Sequence, residues 1–76
     1  MISFYCRGGQ VRTCEVRLNH DGPGYELVVV DGSRQRTERF PSMKALLSRE
    51  HELLAAWRAL GWQDVTTRSP RGRQLH

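Results

Sequence analysis

The segment from Phe40 to Trp62, FPSMKALLSREHELLAAWRALGW, limits what this chain can fold into more than any other. At about 100° per residue, Met43, Leu46, Leu47, Leu53, Leu54, Trp57 and Leu60 fall within one apolar stripe. This is the pattern of an amphipathic helix. Ser42 stands where an N-cap belongs. Gly61 stands at the left-handed position past the helix end, and Trp62 is then placed to pack on Trp57 in a Schellman ending. Ala45, Ser48, Ala56 and Ala59 line the far side. Glu50 interrupts the stripe near its angular centre. A buried carboxylate needs a partner, because an unpaired charge inside a protein is costly. Otherwise Glu50 must reach water.

A helix with such a stripe must cover something, and the chain ahead of it reads as strands. Ile2, Phe4 and Cys6 alternate with Ser3, Tyr5 and Arg7, and Cys14, Val16 and Leu18 alternate with Thr13, Glu15 and Arg17. Period-2 patterns of this kind mark half-buried strands. The two patterns also constrain the turn between them. A two-residue Gly8-Gly9 loop sets Phe4 opposite Thr13 and Ile2 opposite Glu15, whereas a three-residue loop through Gln10 sets Phe4 opposite Cys14 and Ile2 opposite Val16. Register follows the buried face, so the longer, bulged loop is the expectation. It leaves Cys6 and Cys14 on a diagonal, about 7–8 Å apart, too far for a disulfide. Both cysteines then read as small core residues.

Asp21-Gly22-Pro23-Gly24 is a connector. Tyr25–Val30 is the most strand-like run, with Tyr25, Leu27 and Val29 expected inward and Val28 and Val30 outward. Asp31-Gly32 signals a hairpin, and Ser33–Phe40 returns as a polar, charged edge strand. Together these elements predict an α+β fold of two layers: a four-stranded antiparallel β-meander packed on one C-terminal amphipathic α-helix. A single domain is expected over residues 1–65, followed by a basic, disordered tail over 66–76 whose composition buries no core.

Charge narrows the function classes. The chain of 76 residues carries a net charge of +4. Residues 1–65 hold nine bases against eight acids, while the tail holds Arg68, Arg71 and Arg73 and no acid. The excess is therefore mostly in the tail. Eleven of the twelve bases are Arg, a bias that GC-rich coding produces without selection for phosphate binding. MISFYC meets Arg7 at once, so no secretory n- and h-region opens the chain. No apolar run approaches the roughly 20 residues of a membrane-spanning helix. A cytoplasmic protein with reduced thiols is expected.

Motifs for chemistry are sparse. Cys6, Cys14, His20, His51 and His76 lack the spacing of a zinc site. Cys14 and His20, six apart on one strand, do not form a nucleophilic pair. Neither glycine cluster has the strand–loop–helix context of a phosphate loop. No enzyme activity, metal or small-molecule cofactor is expected. Two binding readings follow. The first is a protein-interaction module acting through the sheet face or edge, with a second copy of the chain among its partners; outward Val28 and Val30 and the small-residue side of the helix support it. The second is single-stranded DNA or RNA, held on a sheet face of Tyr5, Arg7, Arg17, Arg34 and Arg36 with help from the basic tail. In element order the chain resembles the strand-strand-strand-strand-helix unit of the Whirly single-strand-binding proteins. That resemblance is one of topology and carries no residues over.

Overall fold

The computed structural model of the chain describes residues 1–66. Five strands and one helix follow in the order β1 (Ile2–Arg7), β2 (Gln10–Leu18), β3 (Tyr25–Asp31), β4 (Arg34–Phe40), α1 (Met43–Ala59) and β5 (Gln63–Asp64). The first four strands form the expected antiparallel meander, and α1 packs across one face, giving a two-layer α+β architecture. The short β5 is an addition. It pairs antiparallel with β1, so the sheet runs β4-β3-β2-β1-β5.

The helix forms where its signals lie. The Ser42 hydroxyl accepts from the Ala45 amide at 3.2 Å. At the other end Trp62 donates to the Trp57 carbonyl and Gly61 to that of Arg58, each at 3.0 Å, the two bonds of a Schellman ending. Gly61 takes φ 95°, which a side chain would strain. The stripe is narrower than predicted. Leu46 and Trp57 are buried, and Met43, Leu53 and Leu54 are half-buried, but Leu47 and Leu60 face water. Nor does the chain stop at the Schellman ending. The reversal aims it back along β1, where Val65 donates to the Phe4 carbonyl at 2.9 Å. The Phe4 amide in turn donates to the Thr66 hydroxyl at 2.7 Å. Thr66 is thus hydrogen-bonded to β1, and residues 67–76, the rest of the expected tail, lie outside the described residues.

The first hairpin corrects the expected register. Its loop is the two-residue Gly8-Gly9, with Ile2 opposite Glu15, Phe4 opposite Thr13 and Arg7 opposite Gln10. Positive φ at Gly8 suits a tight primed turn, whose twist matches that of the strands it joins. The decisive side chain is Tyr5, only 1% exposed. Its ring meets Trp57 edge-on at 5.4 Å, and its hydroxyl accepts from Arg58 Nη1 at 3.2 Å. The space under the helix end is aromatic and polar, so it suits a tyrosine better than Phe4. Ile2, Phe4 and Cys6 consequently point to the side of the sheet away from the helix. The inward Cys6 of the sequence reading is corrected with them: it is half-buried opposite Val11, while Cys14 is buried beneath the helix, and both thiols are free.

Paired residues share a face, which fixes both surfaces of the sheet. Under the helix lie the rows Leu18–Tyr25–Phe40, Val16–Leu27–Glu38, Ser3–Cys14–Val29–Arg36 and Tyr5–Arg12–Asp31–Arg34. The core gathers Tyr5, Cys14, Val16, Leu27 and Val29 with Leu46, Trp57 and Trp62. The connector between β2 and β3 needs its last glycine, because a Cβ on Gly24 would sit 2.7 Å from the Phe40 carbonyl oxygen.

Candidate functional site

Two surfaces stand out, one on each side of the sheet. The face away from the helix carries the rows Arg17–Glu26–Arg39, Ile2–Glu15–Val28–Thr37 and Phe4–Thr13–Val30–Gln35, with Cys6–Val11 beyond. Among the described residues no element covers it. Phe4 is 41% exposed and Val11 55%, and Ile2 is exposed as well. One end of this face is closed off by charge pairing. Glu26 is buried on it and accepts from Arg17 Nε and Arg39 Nε, each at 3.1 Å. Those bonds, Arg39's first, hold its carboxyl below the usual carboxylate range against the opposing pull of burial. On the rest of the face Ile2, Phe4 and Val11 are exposed, Val30 is half-buried and Val28 is buried, and Glu15 and Thr13 on β2 stand between the side chains of β1 and those of β3.

The second surface is a cleft of about 650 Å³ on the helix side, at the corner where the β3–β4 hairpin runs out beyond α1. Val29 and Trp57 form its apolar wall, and Arg12, Asp31, Arg34, Gln35 and Arg36 line the remainder. Arg12 is the anchor of this corner. Its guanidinium lies 4.9 Å from the Trp57 ring centre and 4.1 Å from that of Trp62, within cation–π range of both. Its Nη2 donates to Asp31 Oδ2 at 2.9 Å, which neutralises one charge of the cleft. Its buried Nε donates to nothing among the described residues. Arg12 therefore works as a flat spacer between two indoles. Arg34 and Arg36, further out on β4, are exposed and form no ion pair among the described residues.

The seven residues singled out in the sequence as a binding face divide between these surfaces. Arg17, Val28 and Val30 are on the open face. Arg34 and Arg36 line the cleft on the opposite side. Tyr5 is in the core, and Arg7 fastens the helix end, its Nη1 donating to the Leu60 carbonyl at 2.9 Å and its guanidinium standing 5.2 Å from the Trp62 ring. The single Tyr–Arg platform is thus corrected to two separate surfaces, because the tight first turn places Tyr5 inward. Burial raises the pKa of the Tyr5 hydroxyl, Asp64 adds to this, and Arg58 opposes it. Glu50 is half-buried and makes no hydrogen bond or ion pair among the described residues. Desolvation raises its pKa, offset in part by the nearby N-terminal ammonium.

Burial, with Glu50 and Glu38 behind it, pushes the Cys14 thiol up to about 11, far from a reactive thiolate at neutral pH. Among the described residues no three of His, Cys, Asp and Glu come together as a metal site would require. No helix there is long and apolar enough to cross a membrane. The two surfaces differ in character: exposed apolar side chains on one side, exposed arginines on the other. No protein-family model, curated protein or solved structure matches this chain.

Proposed function

We propose that this chain is a non-enzymatic binding module that associates with a second copy of itself through the open face of its sheet. The observation that carries the reading is the apolar character of this face: Ile2, Phe4 and Val11 are exposed on it, with half-buried Val30 and buried Val28 beside them. A sheet in a two-layer domain ordinarily keeps its outer face polar, and contiguous exposed apolar surface on a small domain marks an interaction site. The charge on this face favours a second copy over a charged partner. Its two acids, Glu15 and Glu26, are balanced by Arg17 and Arg39, and Glu26 is held by both arginines within the chain. A neutral face of this kind meets its own copy without like-charge repulsion, as a two-fold contact demands. Two such sheets would pack face to face at about 10 Å, interdigitating Phe4 with the valines. The two free thiols fit a reducing, cytoplasmic setting.

The nucleic-acid alternative has weaker support. Stacking needs an exposed aromatic ring, and Tyr5, Trp57 and Trp62 are all buried. Phe4 is the one exposed ring on the open face, and the two arginines that share that face, Arg17 and Arg39, are bound to Glu26. Sedimentation velocity from low to high micromolar protein tests the proposal. The wild type should move from one-chain to two-chain mass, and Phe4→Glu should stay at one chain while keeping its circular dichroism spectrum. A wild type that sediments as one chain throughout would overturn the reading.

A further inference from the structure

The cleft and the strand beside it are untouched by the proposed self-association, which uses the other side of the sheet. β4 is the outermost strand, and among the described residues nothing pairs with its free edge. Edge strands are open templates for another chain, and proteins commonly defend them with charge. Here the defence is selective. β4 bears Arg34, Arg36 and Arg39 against the single acid Glu38. Two of these four charges are already engaged: Glu38 accepts from Arg49 through both oxygens, at 3.0 and 3.3 Å, and Arg39 donates to Glu26. Arg34 and Arg36 remain, two residues apart on the helix side and projecting over the cleft. A second copy of β4 added to this edge would bring arginine against arginine, a destabilising arrangement. The basic segment 67–76, with three arginines and no acid, is equally mismatched by charge.

We infer that the β4 edge and the cleft together form a docking site for an extended acidic peptide, which adds to the sheet as a strand and sets two carboxylates, two residues apart, on Arg34 and Arg36. The spacing fits. Alternate side chains on an antiparallel strand recur about every 6.8 Å on one face, on the partner as on β4. The guanidiniums present planar forks suited to carboxylates. Beneath them the cleft is walled by Trp57 and floored by the Arg12–Asp31 pair, room enough for the peptide's side chains. Trp57, 6% exposed with Arg12 over its ring, offers no free face for a base, which favours peptide over nucleic acid.

Fluorescence anisotropy on the full chain tests this with three labelled probes of matched length: a peptide alternating Glu and Thr, the same peptide with Gln for Glu, and an oligothymidylate. The Glu peptide should bind at least tenfold more tightly than either other probe in 150 mM salt. Arg34→Ala with Arg36→Ala should weaken it at least tenfold, and N-methylation of alternate backbone amides on the edge-facing side should weaken it by a similar factor. The Phe4→Glu variant should bind it as the wild type does, so this site and self-association fail or hold separately. Tighter binding of the oligothymidylate, indifference to the paired arginine change, or indifference to N-methylation would each overturn the inference. Arg34→Lys with Arg36→Lys, which keeps charge and fold, should retain part of the affinity; full loss there would also count against it, since carboxylate recognition by charge should survive in part.

Discussion

The two faces of this one sheet do opposite things with similar residues. Under the helix, aromatic and aliphatic side chains close into a core around Leu46 and Trp57, and arginines are drawn in as partners: Arg12 between two indoles, Arg58 on the Tyr5 hydroxyl. On the open side, Ile2, Phe4 and Val11 are exposed beside half-buried Val30 and buried Val28, and arginine pairing is confined to one end. The lesson is that burial in a domain this small is decided by where one helix can reach. The helix covers one face; among the described residues the second face and the β3–β4 corner have no covering element.

Core substitutions should separate the faces most strongly. Trp57→Ala removes the ring that packs on Tyr5 and Arg12, and should cost about 3–5 kcal/mol, enough to unfold much of the population. Phe4→Ala, on the open face, should cost about 1 kcal/mol at dilute concentration. Urea titrations at low micromolar protein read both values, and equal losses would mean that the open face is part of the same core.

Arg12 comes next. Arg12→Ala should cost about 1–3 kcal/mol, because it deletes the spacer between the indoles and the partner of Asp31. Arg12→Lys should recover less than half of that, since an ammonium restores charge but not the flat contact. Indole fluorescence should change with both variants. Full recovery by lysine would reduce Arg12 to a plain ion pair.

The smallest effects come from the two carboxylates, and they have opposite signs. Desolvation raises the folded-state pKa of Glu50. Its contribution to stability is therefore fully present only below the unfolded carboxylate range and is lost as pH rises through the raised value, so at pH 7 the ionised group weakens the fold. Glu50→Gln should stabilise at pH 7 by about 0.5–1 kcal/mol, with the gain vanishing near pH 4. Glu26 is the reverse. Arg39 and Arg17 lower its folded-state pKa, so its contribution is present above the ordinary carboxylate range and is lost as pH falls through the lowered value. Glu26→Gln should lower stability at pH 7 and flatten the acid limb of the stability curve. A Glu50→Gln protein that melts earlier than wild type at pH 7 would show that the carboxylate has a structural partner after all.

Much of the scaffold was legible in the sequence because its signals are local. Ser42, Gly61 and the apolar spacing between them mark the helix, and Asp31-Gly32 marks the second hairpin, whose two-residue loop is Gly32-Ser33. The facing of β1 was not, because its alternation is ambiguous: Ile2, Phe4 and Cys6 outweigh Tyr5 in hydrophobicity, yet only a tyrosine satisfies a pocket that has an indole on one side and an arginine on the other. β5 was missed for a related reason, since Gln63-Asp64 has no strand propensity and is held by its pairing with β1. The cleft did leave a trace. Arg12 shares parity with Cys14 and Val16, and Asp31 with Leu27 and Val29, so each strand places one charge of opposite sign on the core face. Two such charges on neighbouring strands imply a pair, and the tryptophans near the helix end imply what covers it.

Self-association through the open face is most directly tested by isotope-filtered nuclear Overhauser spectroscopy on a mixture of labelled and unlabelled chains at high micromolar concentration. Contacts between copies should run from the Phe4 ring to the methyl groups of Ile2, Val11 and Val30. Intermolecular contacts confined to α1 or β4, or none at all, would contradict the proposal.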